Sequence, residues 1–81
     1  FIDVDQVTHQ TSSELKQNLL SAINLLNPTQ KSLVLLKDYE GYSYQEIGEI
    51  MNLSESQVKV YLHRARLLLK TKLLELEKVN A

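Results

Sequence analysis

Cysteine is absent from this chain of 81 residues, and glycine, proline and histidine are scarce, at two, one and two. Without cysteine there is neither a disulfide staple nor a thiolate metal site, which fits a reducing compartment. Two glycines cannot build a phosphate-cradling loop or a dinucleotide fingerprint. With His9 and His63 far apart in the chain, a metal site is a poor reading. No apolar run approaches the roughly 20 residues that cross a bilayer, and no basic-then-apolar leader opens the chain. A cytoplasmic location is therefore expected. No paired carboxylates fall at a plausible cleft, and no nucleophile, base and orienting group are arranged for catalysis. The expectation is a protein that is not an enzyme and needs no cofactor. The first residue is Phe1, which suggests a piece of something longer.

What is present is unevenly distributed. The formal net charge is −1, which on its face argues against a nucleic-acid partner. Residues 1–53 hold three basic residues against seven acids, whereas residues 54–72 hold five basic residues against Glu55 alone. Because screening confines a charge to about 10 Å at moderate salt, this local surplus matters more than the total.

The chain reads as all-α, a small four-helix domain. Residues 1–12, "FIDVDQVTHQTS", lack a helical period and read as a linker, with a short extended segment as the competing reading. A first helix is expected from the capping box Thr11 to Glu14, with Leu15, Leu19, Ile23 and Leu26 as its apolar stripe. Asn27-Pro28 starts a second helix, which carries the run from Leu33 to Leu36 and stops near Gly41. A third, short helix opens with the box Ser43 to Glu46, and Ile47, Ile50 and Met51 are expected to face inward. Asn52 suits the positive φ of a tight turn. Ser54 and Gln57 then cap a fourth helix reaching about Lys78, leaving 79–81 as a tail. The expected domain spans 13–78.

On a wheel of about 100° per residue, Val58, Leu62, Ala65, Leu69 and Leu73 share one side of the fourth helix. Lys59, His63, Arg66 and Lys70 lie beside that stripe, and Ser56, Gln57, Val60 and Arg64 lie opposite it. Cations for phosphates, amides and hydroxyls for base edges, and a small apolar side chain for thymine methyls are what a helix in the major groove requires. A short helix, a tight turn and a longer helix with a free N-terminus make a helix-turn-helix. Gly48 permits a close crossing of the two helices. Ser43 and Tyr44, at the start of the third helix, are candidates to hydrogen-bond a phosphate. Ser54 completes the candidate DNA-binding set at the entry to the fourth.

The stretch "LNPTQKSLVLLKDYEGYSYQEIGEIMNLSESQVKVYLHRARLLLK" resembles region 4 of bacterial sigma factors, in particular the extracytoplasmic-function group of the sigma-70 family. The likeness covers about residues 23–73 and rests on "LNPTQ", "EGYSYQEIG" and "VKVYLHRARLLL". It implies a domain that reads the −35 promoter element while bound to core RNA polymerase. By position, Ser56, Lys59, Val60, His63 and Arg64 match the family's DNA-facing sites. The resemblance further implies a contact with a flap element of the polymerase and masking by an anti-sigma factor; Leu67 and Leu68, off the core stripe, read either as packing on the first helix or as such a partner surface. The chain departs from the pattern at three places. The family often has alanine at 48, glycine at 52, and a serine-arginine pair where Val60-Tyr61 stand, so the preferred promoter sequence is expected to differ.

The bland alternatives are a solvated charged face for the fourth helix and packing roles for Tyr39, Tyr42, Tyr44 and Tyr61. Two rival functions also stand. One is a LuxR-type response-regulator DNA-binding domain, which usually ends its recognition helix sooner. The other is a helical protein-interaction module whose basic face meets an acidic protein.

Overall fold

Asn27 and Pro28 decide where the first chain reversal falls. Proline has no amide hydrogen to leave unpaired in a first helical turn, and the Asn27 side chain accepts from the Gln30 amide at 2.8 Å. A computed structural model describes residues 13–80, with side chains as far as Lys78. The expected linker over 1–12, with Thr11 as a cap and His9, lies outside the described residues, as does Ala81 of the expected tail.

Helix α1 is Ser13–Asn24. It buries Leu19, Ala22 and Ile23, and Leu26 follows them into the core from the turn. Its last turn tightens, with the Leu26 amide donating to the Ile23 carbonyl at 3.1 Å. Helix α2 is Pro28–Val34 and buries Leu33 and Val34. It then widens into a π turn over Leu35–Tyr39, in which the Glu40 amide reaches back to the Leu35 carbonyl at 2.8 Å. Gly41 closes this segment at φ +82°, and the Tyr42 amide donates six residues back to the Leu36 carbonyl at 2.9 Å. The helix therefore ends near Gly41 as its sequence suggests, but in a register one residue wider than an α-helix.

Helix α3 is Tyr44–Met51, and α4 is Glu55–Asn80. Asn52 between them adopts the left-handed conformation, φ 57° and ψ 48°. The Leu53 amide donates to the Gly48 carbonyl at 2.8 Å. A Cβ at residue 48 would lie 2.6 Å from the Leu53 carbonyl oxygen, so glycine is what allows the turn to close this tightly.

At 1.5 Å per residue, the 26 residues of α4 span about 39 Å, which matches the 40 Å long axis of the molecule. Helices α1, α2 and α3 all pack along it. The core joins Leu19, Ile23, Leu33, Val34 and Ile47 to Val58, Leu62, Ala65 and Leu69 of α4, and Leu73 is half-buried below them. No polar side chain is buried among the described residues, so apolar burial holds the bundle.

Two expectations of inward packing need correcting. Ile50 is 56% exposed. The buried arc of α3 runs through Ile47, Met51, Tyr44 and Gly48, and Ile50 falls on the opposite side of Ile47 from that arc. Tyr39 and Tyr42 also lie on the surface, on either side of Gly41, whereas Tyr44 and Tyr61 pack against the core edge.

Candidate DNA interface

The entry to α4 is fixed by a reciprocal cap. The Gln57 amide donates to Ser54 Oγ at 3.1 Å, and the Ser54 amide donates to Gln57 Oε1 at 2.9 Å. A helix so started projects Ser56, Val60, His63 and Leu67 along one ridge, within about 60° of one another around the axis. All four are exposed, with Val60 47% accessible. Gln57 and Arg64, also exposed, flank the ridge on one side. Arg64 leans over a shallow cleft whose polar wall is Asn27, Thr29 and Gln30 at the start of α2. Lys59 flanks the ridge on the other side, and its ammonium lies 3.7 Å from Glu55 one turn earlier. Exposed on both sides, such a pair contributes less than about 1 kcal/mol and opens readily to another anion.

Arg66 is different from its cationic neighbours. Its Nε donates to Asp38 Oδ2 at 2.9 Å and its terminal nitrogen donates to Asp38 Oδ1, a two-pronged pair reaching from α4 to the π turn. The Arg66 and Asp38 side chains are 23% and 12% exposed. The hydrogen bond to Asp38 raises the guanidinium pKa above its ordinary value against the opposing pull of partial burial, and the carboxylate charge and, less strongly, the Tyr44 phenol add to the rise. Sequence position puts Arg66 among the outward cations, whereas the structure gives it a partner within the domain.

Tyr44 stands at the centre of this junction. Lys37 Nζ is 4.5 Å and Lys59 Nζ 5.4 Å from the centre of its ring. Lys37, from the π turn, is thus brought beside Lys59 of α4. Sequence reasoning did not single it out, because helical periodicity carries no signal for the widened turn that places it. Ser43, next to this cluster, accepts from the Glu46 amide at 3.1 Å, and its own amide donates to Glu46 Oε1 at 2.9 Å. These bonds, with the nearby Lys37 charge, hold the Glu46 carboxyl below its ordinary 4.5.

The structure therefore brings Ser43, Tyr44, Lys59 and the added Lys37 together at the head of α3. It places Ser54, Ser56, Gln57, Val60, His63 and Arg64 along the first turns of α4. A surface with cations on two elements and small polar groups between them has the chemistry of a duplex-binding face. Among the described residues no cluster of histidine or carboxylate groups could hold a metal, and no helix is long and apolar enough to cross a membrane.

The sequence model of the family described as "Sigma-70, region 4" matches residues 16–69. The chain belongs to the sigma-70 region 4 family. Over 59 residues it is 42% identical to the RNA polymerase sigma factor YlaC of Bacillus subtilis, covering 73% of this chain and 32% of that protein. It is 35% identical over 63 residues to the RNA polymerase sigma factor CarQ of Myxococcus xanthus, covering 78% and 36%. It is 33% identical over 72 residues to the ECF RNA polymerase sigma-E factor of Haemophilus influenzae, covering 88% and 38%. The chain thus spans about a third of the length of these relatives. No solved structure matches it. As a region 4 domain, its helix-turn-helix is α3, the Asn52 turn and α4, and the sigma reading prevails over the two rival functions.

Proposed function

We propose that this domain reads the −35 promoter element for a sigma factor bound to core RNA polymerase in the cytoplasm. The observation that carries the reading is the division of α4's opening turns. Val58, Leu62 and Ala65 are sealed in the core, while Ser56, Lys59, Val60, His63 and Arg64 face outward together. Lys59, Arg64, Lys37 and the Ser43 hydroxyl dock on phosphates, with Tyr44 spacing the two lysines. Ser56, Gln57, Val60 and His63 face base edges, Val60 meeting a thymine methyl. Ser54 holds the helix entry, and Arg66 acts as a positioning residue that ties α4 to the π turn. Leu67 and Leu74, 54% and 49% exposed, extend the same ridge away from the DNA. They suit the flap element of the polymerase or an anti-sigma factor, while Leu68 packs against the core.

The test uses the full-length factor with core polymerase and duplexes selected from random DNA, titrated over a range of salt. Log affinity should fall linearly with log salt, at a slope of about 0.9 per phosphate neutralised. Arg64→Ala and Lys37→Gln should each remove about one such unit and weaken binding to every sequence alike. The reading fails if both variants leave the slope and promoter-dependent transcription untouched.

A further inference from the structure

We infer that Gln57 reads its base pair purely as a hydrogen-bond donor, selecting a guanine or thymine edge and rejecting the two-point adenine contact usual for glutamine. The inference rests on the promoter-reading function proposed above.

The starting point is the cap of α4. The Ser54 amide donates to Gln57 Oε1 at 2.9 Å. A backbone N–H can be satisfied only by the oxygen of a side-chain amide, so the orientation of this amide follows from the chemistry. Its oxygen is turned back toward the chain, and since the side chain is exposed, its Nε2 is the group left for a ligand. Glutamine recognises adenine by offering oxygen to the N6 amino group and nitrogen to N7 in one plane. Here the oxygen is already engaged, and releasing it would leave the Ser54 amide unpaired at the very turn that must enter the groove.

What remains is an NH2 group with two donors. In the major groove guanine presents two acceptors, O6 and N7, and thymine presents O4. Cytosine presents a donor, the N4 amino group, which Nε2 cannot accept and which Oε1, turned back to the Ser54 amide, does not face. Adenine offers N7, but its N6 amino group faces the same donors. The helix cap thereby turns a side chain with two-way hydrogen bonding into a one-way reader.

Glu46 supplies the control for a clean test. It accepts from the Ser43 amide at 2.9 Å, the same length as the Gln57 bond, so a carboxylate fills this capping role equally well. Gln57→Glu therefore keeps the cap and deletes the donors, while its added negative charge should weaken binding to every sequence alike. The full-length factor with core polymerase is used to select random DNA, as wild type, Gln57→Glu and Gln57→Ala, with thermal melting of each factor alongside. Wild type should prefer guanine or thymine at one position. Gln57→Glu should melt with wild type and reverse that position toward cytosine by about tenfold, with other positions unchanged. Gln57→Ala should lose the preference there and melt earlier. The inference is overturned if wild type selects adenine at the position that Gln57→Ala relaxes, or if Gln57→Glu keeps the wild-type base. A wild-type factor that selects no sequence at all would overturn the promoter-reading function as well.

Discussion

Asn52 and Gly48 hold the turn of the helix-turn-helix between them, Asn52 by accepting a left-handed backbone and Gly48 by lacking a Cβ. Asn52 sits at φ 57°, where a residue with an ordinary Cβ costs roughly 1–2 kcal/mol and asparagine less. Asn52→Ala should lower stability by about 1 kcal/mol, seen as a thermal midpoint several degrees lower, and Asn52→Gly should be close to neutral. Gly48→Ala is a sharper case. Helix propensity favours the alanine by about 1 kcal/mol. The new Cβ, however, would lie 2.6 Å from the Leu53 carbonyl, which is backbone and yields only if the turn shifts. Overpacking of this kind costs about 1–3 kcal/mol, so the net effect should be destabilising. Glycine at 52 widens the conformations open to the turn, so the double variant Gly48→Ala, Asn52→Gly should recover part of the loss. Additive melting data from the two single variants and the double would refute that coupling.

At the scale of the helices, three caps share one reciprocal design: Asn27 with Gln30, Ser43 with Glu46, and Ser54 with Gln57. Only the second contains a titrating group. The Ser43 hydrogen bonds hold Glu46 below 4.5, so the stabilisation of α3 is fully present above the ordinary glutamate range. It is lost as pH falls through the lowered native value. Protection of the Ser43 amide, taken relative to its intrinsic exchange rate, should therefore fall in acid below the ordinary glutamate range, while that of Ser54, capped by a neutral glutamine, shows no such transition. These caps were legible in the sequence because their partners stand three residues apart. The Arg66–Asp38 pair was not, since 28 residues separate its members and the π turn that aims Asp38 leaves no periodic trace. Ile50 failed for a related reason: a three-residue spacing from Ile47 fits either edge of a helical stripe, and only the crossing with α4 chooses the edge. The pair makes its own prediction. Asp38→Asn leaves a half-buried guanidinium without its counter-charge and should cost about 1–3 kcal/mol, below the range for a fully buried pair because solvent reaches this one. Arg66→Lys should also destabilise, since an ammonium cannot span both carboxylate oxygens. Neither should reduce the salt slope of DNA binding by a full phosphate if Arg66 positions α4; a loss as large as that of Arg64→Ala would make Arg66 a phosphate ligand.

Across the whole molecule the net charge of −1 conceals a strong segregation, and the 40 Å length lets that segregation act. Glu55 is the one acid within residues 54–72, and its carboxylate lies 3.7 Å from Lys59 on the proposed DNA face. Glu75 is on the same helix, 15 residues beyond Val60, or about 22 Å along the axis. At 0.1 M salt that is about two screening lengths, so Glu75 is electrically remote from a duplex docked at the head of α4. The two substitutions Glu55→Gln and Glu75→Gln change the net charge identically, yet they should differ in effect. Glu55→Gln releases Lys59 and removes a nearby repulsion, so DNA affinity should rise several-fold at low salt. The gain should shrink as salt is raised. It carries a small folding cost, about 0.3–1 kcal/mol, because an acid in the first turn complements the helix dipole. Glu75→Gln should leave affinity unchanged at 0.1 M salt and above, and raise it less than Glu55→Gln at low salt. Equal gains from both would mean that total charge governs the encounter and that the basic flank of α4 has no special part in it.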